Sequence, residues 1–102
     1  MSWQVVLRPE VYSDIAKAEN WYEARKQGLG IEFREAVISV FDALVENPFL
    51  NARQHPQRNI RWRFPPRFPY RVVYEVIETD GIVVIAAVIH AARHERHWKK
   101  RL

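Results

Sequence analysis

A chain of 102 residues, 48% hydrophobic and 27% charged, is the size and make-up of one ordinary globular domain. It has no cysteine, which excludes disulfides and thiolate zinc sites, and no apolar run reaches the roughly 18 residues needed to span a membrane. The net charge of +4 hides an asymmetry: residues 1–50 hold five Lys/Arg and eight Asp/Glu, residues 51–102 eleven and four, so a net −3 half precedes a net +7 half.

Trp3, Val5 and Leu7 alternate with Gln4 and Val6, the pattern of a short first strand. Pro9 suits the first position of a helix, with Glu10 and Asp14 near the positive end of its dipole. Val11, Ile15, Ala18 and Tyr22 then recur at helical spacing, with Lys17, Glu19 and Glu23 outside and Trp21 flanking the stripe. The helix is expected to end near Gln27, where Gly28-Leu29-Gly30 offers glycine for a left-handed cap. A second helix carries Phe33, Val37, Val40, Phe41 and Leu44 on one face and stops at Asn47-Pro48. Two helices joined so tightly form an antiparallel hairpin.

Residues 48–58 have no period, contain two prolines and are predicted to be a loop. Ile60, Trp62 and Phe64 then alternate with Arg61 and Arg63, a half-buried strand whose apolar side faces the core and whose arginines face out. Pro65-Pro66 breaks it. Val72 to Ile77 and Ile82 to Ile89, both rich in β-branched residues, flank Glu78-Thr79-Asp80-Gly81 and predict a β-hairpin that forms the spine of the sheet. The order is β-α-α-β-β-β: an α+β domain over residues 1–102, its helical hairpin packed on one face of a mainly antiparallel sheet. The other face is expected to be open, with Arg61 and Arg63 pointing there. Residues 91–102 form a basic tail with one large aromatic, Trp98.

The chemistry gathers at the ends of the hairpin. Tyr70 and Arg71 open its first strand, and His90 with Arg93 closes the second. Antiparallel pairing should bring all four to one end of the sheet. Twelve of the 16 cations are arginine, whose planar fork suits phosphates and carboxylates, so the basic half predicts a polyanionic or acidic partner; the alternative is a solvated basic face. RNA cleavage by internal attack would need a base, an acid and cations for the phosphorane. His90, His94 and His97 are candidates for the first two roles, and Arg61, Arg63, Arg71 and Arg93 for the third. No carboxylate–histidine pattern supports a metal, and no cofactor is expected. Trp98 either anchors the tail on the core or offers itself to a partner. Trp21 and Tyr22 are adjacent and cannot both face the core.

Three stretches resemble the RelE/ParE superfamily of bacterial type II toxins: Glu19-Asn20-Trp21-Tyr22-Glu23 with Gly28 to Phe33, Asn47-Pro48, and Arg67-Phe68-Pro69-Tyr70-Arg71 through His90, Arg93 and Trp98. The resemblance covers nearly the whole chain and is closer to the ParE-like branch. It implies a growth-inhibiting toxin of the kind tied to plasmid stabilisation, silenced by a cognate antitoxin that wraps around it. The ParE-like form poisons DNA gyrase and is not enzymatic. The alternative is a RelE-like endonuclease that cuts mRNA on the ribosome, in which His90, Arg93, Arg71 and Tyr70 would be catalytic. RelE-like members rely on lysines and arginines around the sheet; this chain has no lysine between Lys26 and Lys99, although arginine could substitute in phosphate binding. A further alternative is an inactive member kept as a binding module. Target or nucleic-acid contact is assigned to Arg61, Arg63, Arg71, Arg93, Arg96 and Trp98, and antitoxin contact to Trp21 and Tyr22. The N-terminus has no signal-peptide character, so the expected location is the cytoplasm, away from membranes.

Overall fold

In a computed structural model, residues 2–93 and 96–101 are described, except that nothing is said of the side chains of Arg96 and His97. Strand β1 (Gln4–Leu7) leads into helices α1 (Pro9–Arg25) and α2 (Leu29–Glu46), strands β2 (Ile60–Arg63), β3 (Tyr70–Ile77) and β4 (Ile82–His90), and a short helix α3 (Arg96–Lys99). The sheet order is β1-β4-β3-β2. Both β2·β3 and β3·β4 are antiparallel, and β1 runs parallel to β4.

Pro9 starts α1, as its fixed φ allows. Gly28 stands between the helices at φ +88°, a left-handed value that costs other residues strain. The start of α2 is capped from outside: the Glu23 carboxylate of α1 accepts the Gly28 N–H at 2.9 Å and the Gly30 N–H at 3.0 Å. This satisfies donors that the helix itself leaves open. The strands of the hairpin are joined by a 3-10 turn at Glu78–Asp80, closed by Gly81 at φ +66°.

Val11, Ala18, Phe33, Val37, Val40 and Leu44 from the helices bury Val72, Tyr74, Val76, Val83, Ile85 and Val88 on one face of the sheet. A bulge breaks the alternation of β4. Val73 pairs with Ala87 but Tyr74 with Ile85, so Ala86 is the extra residue. The bulge keeps both Ile85 and Val88 on the helix side, while Ala87 and Ile89 face away.

The other face of the sheet is not open as predicted. Ile60, Val73, Ala87 and Ile89 are buried there under Trp98 of α3, which meets Trp62 edge to face at 5.8 Å. The arginines of β2 are on the opposite side from the one expected. Arg61 pairs with Tyr74 and Arg63 with Val72, both residues of the helix-side core. The cause is the edge position of β2. The helical pair packs over β1 and β4, which leaves the helix side of β2 at the rim, where cations are tolerated. The apolar Ile60 and Trp62 point to the face the tail covers.

Candidate functional site

The end of the sheet where β3 begins and β4 ends carries the densest chemistry. Tyr70 and His90 are register partners, and their rings meet edge to face at 5.3 Å. Tyr70 also packs against Phe33 at 4.9 Å and Tyr22 at 6.0 Å, an aromatic cluster that holds its ring in place. Burial pushes the Tyr70 hydroxyl above its usual range, and nearby Arg93 opposes part of that shift. Tyr22 is raised too, first by burial and then by Tyr70. Both phenols are therefore protonated hydrogen-bond donors at neutral pH.

His90 is held by the turn that follows it. Its Nδ1 accepts the Ala92 N–H at 3.0 Å and its carbonyl accepts the Arg93 N–H at 2.9 Å. With the Nδ1 lone pair engaged, the proton of the neutral ring is on Nε2. Helix α1 faces this turn across a cleft of about 470 Å³, whose wall includes Lys17, Trp21, Tyr22, Tyr70, His90 and Arg93. Trp21 is 50% exposed, with the Arg25 guanidinium 3.7 Å from its ring centroid. Of the adjacent pair, Tyr22 turns inward and Trp21 outward.

Arg71 does not join this cluster. It neighbours Tyr70 on a strand, so it points through the other face, where its guanidinium lies 4.5 Å over the Trp62 ring. Its buried Nε has no hydrogen-bond partner among the described residues. Trp98 is 1% exposed, its Nε1 likewise unpartnered; its role here is to anchor α3. Arg61 braces the loop before β2: it donates to the carbonyls of Asn51 and Phe49 and, at 2.8 Å, to Asn59 Oδ1. Arg63 has no hydrogen bond or ion pair among the described residues. His94 and the side chains of Arg96 and His97 fall outside them. Among those described, no group of three His, Asp or Glu is placed to hold a metal, and no helix is long and apolar enough to cross a membrane.

Three residues of the cleft were not singled out by sequence. Asp14 accepts the Val88 N–H at 3.0 Å and two hydrogen bonds from Arg101, at 2.6 and 2.9 Å. Arg101 also donates to the Ala86 carbonyl at the bulge, at 3.0 Å. Lys17 lines the same wall. Asp14 had the ordinary signature of an acid near the start of a helix and Arg101 that of one more tail cation, so nothing local marked them.

The profile of the ParE toxin of type II toxin–antitoxin systems, parDE, matches residues 5–95. No curated protein matches in sequence. A doubly substituted Escherichia coli RelE toxin in the free state superposes with a TM-score of 0.70 at 20% identity, over 100% of this chain and 99% of that one. The same toxin bound to a peptide of its antitoxin RelB gives 0.64 at 18% identity, over 100% and 96%. The chromosomal ParDE system of Pseudomonas aeruginosa gives 0.60 at 11% identity, over 87% and 96%. At these identities the solved structures establish the shared fold.

Proposed function

From its membership of the ParE toxin family of type II toxin–antitoxin systems, to which this chain belongs, we propose a growth inhibitor that acts by binding DNA gyrase and is silenced by a cognate antitoxin. The observation that carries the non-enzymatic reading is the orientation of His90. Internal attack on RNA needs a group that accepts the 2′-hydroxyl proton. His90, which lines the cleft, has its Nδ1 lone pair occupied by the Ala92 N–H, so the neutral ring carries its proton on Nε2. Tyr70, held protonated by burial, presents an O–H. Lys17 and Arg93 present only N–H groups. A wall made almost wholly of donors recognises acidic groups and lacks a proton acceptor for catalysis; Asp14, the one carboxylate there, is committed to Arg101 and Val88.

Purified protein with gyrase and supercoiled plasmid is expected to trap cleaved DNA complexes. Cleavage of mRNA in a reconstituted translation reaction, with no effect on gyrase, would overturn the reading. Unimpaired growth on expression without the antitoxin would leave only a binding module.

A further inference from the structure

The sheet has two outer strands, and their free edges are finished differently. At β2 the Gln54 N–H occupies the Ile60 carbonyl, Arg53 bridges to Arg61, and the strand itself carries Arg61 and Arg63. Such cover and charge guard an edge against pairing with another chain. Strand β1, Gln4-Val5-Val6-Leu7, has no proline, no cation and no bulge.

The direction of its backbone groups follows from three hydrogen bonds. The Gln4 N–H reaches the Gly81 carbonyl and the Arg8 N–H the Ile85 carbonyl, both toward β4. The Trp3 N–H turns the other way, to the Val45 carbonyl of α2. Alternation then directs the groups of Gln4 and Val6 to β4 and those of Val5 and Leu7 outward. The N–H and carbonyl of both outward residues have no hydrogen-bond partner among the described residues. Trp3, Val5 and Leu7 pack their side chains on the helix-side core, so Val6 projects from the opposite face, where it is 39% exposed.

These groups fit a second copy of the same edge. Identical edges related by a twofold axis pair antiparallel. A twofold along the strands would set Val5 opposite Val5, whereas a parallel ladder staggers its bonded residues by one. Symmetry and chain sterics then select the register. Centred on Val5, the pairing needs Trp3 opposite Leu7, but the Trp3 N–H is held by Val45. Centred on Leu7, it needs Pro9 opposite Val5, and Pro9 has no N–H and already starts α1. Centred on Val6, Val5 of each copy meets Leu7 of the other, and every outward group is bonded. The same register sets the two exposed Val6 side chains against each other as a close non-hydrogen-bonded pair. It also places Arg8 opposite the neutral Gln4 of the other copy, so no like charges meet.

We propose that β1 is a self-association edge: two copies of this chain pair antiparallel through Val5 and Leu7, with the twofold axis at Val6, and their sheets run on into one. The pairing is a property of the chain alone and does not depend on the toxin reading.

Sedimentation equilibrium of the full chain from micromolar to millimolar concentration, with amide exchange read by NMR over the same range, tests the pairing. The average mass is expected to rise from one chain to two and no further. The Val5 and Leu7 amides should exchange about tenfold more slowly or better in the dimer, with those at the β2 edge unchanged. Val6→Lys and Val6→Glu each set like charges across the axis and should each stay monomeric. Mixed in equal amounts the two variants should pair again, since unlike charges then meet, and that recovery also shows that both are folded. A native chain that stays monomeric at millimolar concentration leaves the edge to some other occupant and overturns the proposal. So does assembly beyond two copies, protection at another edge, a dimer undiminished by Val6→Lys, or a mixture of the variants that fails to pair. Growth inhibition is a separate measurement: its failure would sink the toxin reading and leave the dimer assay intact.

Discussion

Arg101 and Asp14 stand 87 positions apart, yet they form a two-pronged ion pair, at 2.6 and 2.9 Å, that ties the end of the chain to its first helix. Their side chains are 20% and 12% exposed, so solvent screens the pair only in part. The same two groups cap the open edge of β4 at its bulge. The pair thus joins α1, β4 and the tail at one point.

Asp14→Ala should therefore cost more than an ordinary surface change. It strands the guanidinium and leaves the Val88 N–H without an acceptor, a loss of about 3 kcal/mol. Arg101→Met, which keeps the alkyl stem, should cost about 1–2 kcal/mol. Urea denaturation of both single variants and the double variant gives the coupling. A double variant no worse than Asp14→Ala is the expected result, and simple additivity would show that the pair is not linked.

Gly30 offers a test in which helix propensity and packing predict opposite signs. Glycine to alanine inside a helix ordinarily gains about 1 kcal/mol. A Cβ at Gly30 would lie 2.7 Å from the Glu19 carbonyl oxygen of the facing helix. Gly30→Ala is expected to destabilise the protein by about 2 kcal/mol, because backbone on both sides must move apart. A rise in thermal midpoint would mean that the helices are not so close.

Tyr74 predicts an alkaline limit to stability. Its hydroxyl donates to the Pro48 carbonyl at 2.8 Å, and burial raises its pKa from 10 to about 12, with Arg61 and Arg63 opposing. The folded pKa is above the unfolded one. The stabilisation is therefore complete below pH 10 and disappears as the pH rises towards 12. Stability measured across that window should fall in the native chain and fall less in Tyr74→Phe. The variant itself should lose about 1 kcal/mol at neutral pH, one buried hydrogen bond. Absorbance titration should lose its highest tyrosinate step in the variant.

Arg93 and Arg71 separate function from folding. Arg93 is exposed in the turn after His90, so Arg93→Ala should leave the thermal midpoint unchanged and reduce growth inhibition. Arg71→Ala loses the stacking on Trp62, a cost of about 1 kcal/mol, and should also reduce toxicity. If both variants unfold, the two arginines serve the structure and the contact role assigned to them is wrong.

Trp21 and Tyr22 supply a paired control. Tyr22 packs on Phe33 and Phe68 at 5.3 and 4.9 Å, so Tyr22→Ala should cost about 3 kcal/mol. Trp21→Ala should cost little stability and weaken antitoxin binding, as measured by calorimetry. Unchanged affinity would remove Trp21 from the antitoxin surface.

Local rules were enough for much of this chain. Pro9, Gly28 and Asn47-Pro48 set the helix boundaries through backbone sterics, and the β-branched runs around Gly81 marked the hairpin, because these signals act within a few residues of the chain. They also placed Tyr70 beside His90, since antiparallel pairing makes neighbours of the two ends of a hairpin. Which face each side chain met was decided only by the tertiary structure. The two-residue period of β2 separates Arg61 from Trp62 but does not say which of them faces the helices; the edge position of the strand and the cover supplied by Trp98 determine that. Period alone likewise divides Arg71 from Tyr70 once the faces are known. The bulge at Ala86 and the Asp14–Arg101 pair left no local trace, because a contact between the two ends of a chain depends on where the fold brings them. Those non-local contacts turn the end of a predicted hairpin into a cleft with an open strand edge.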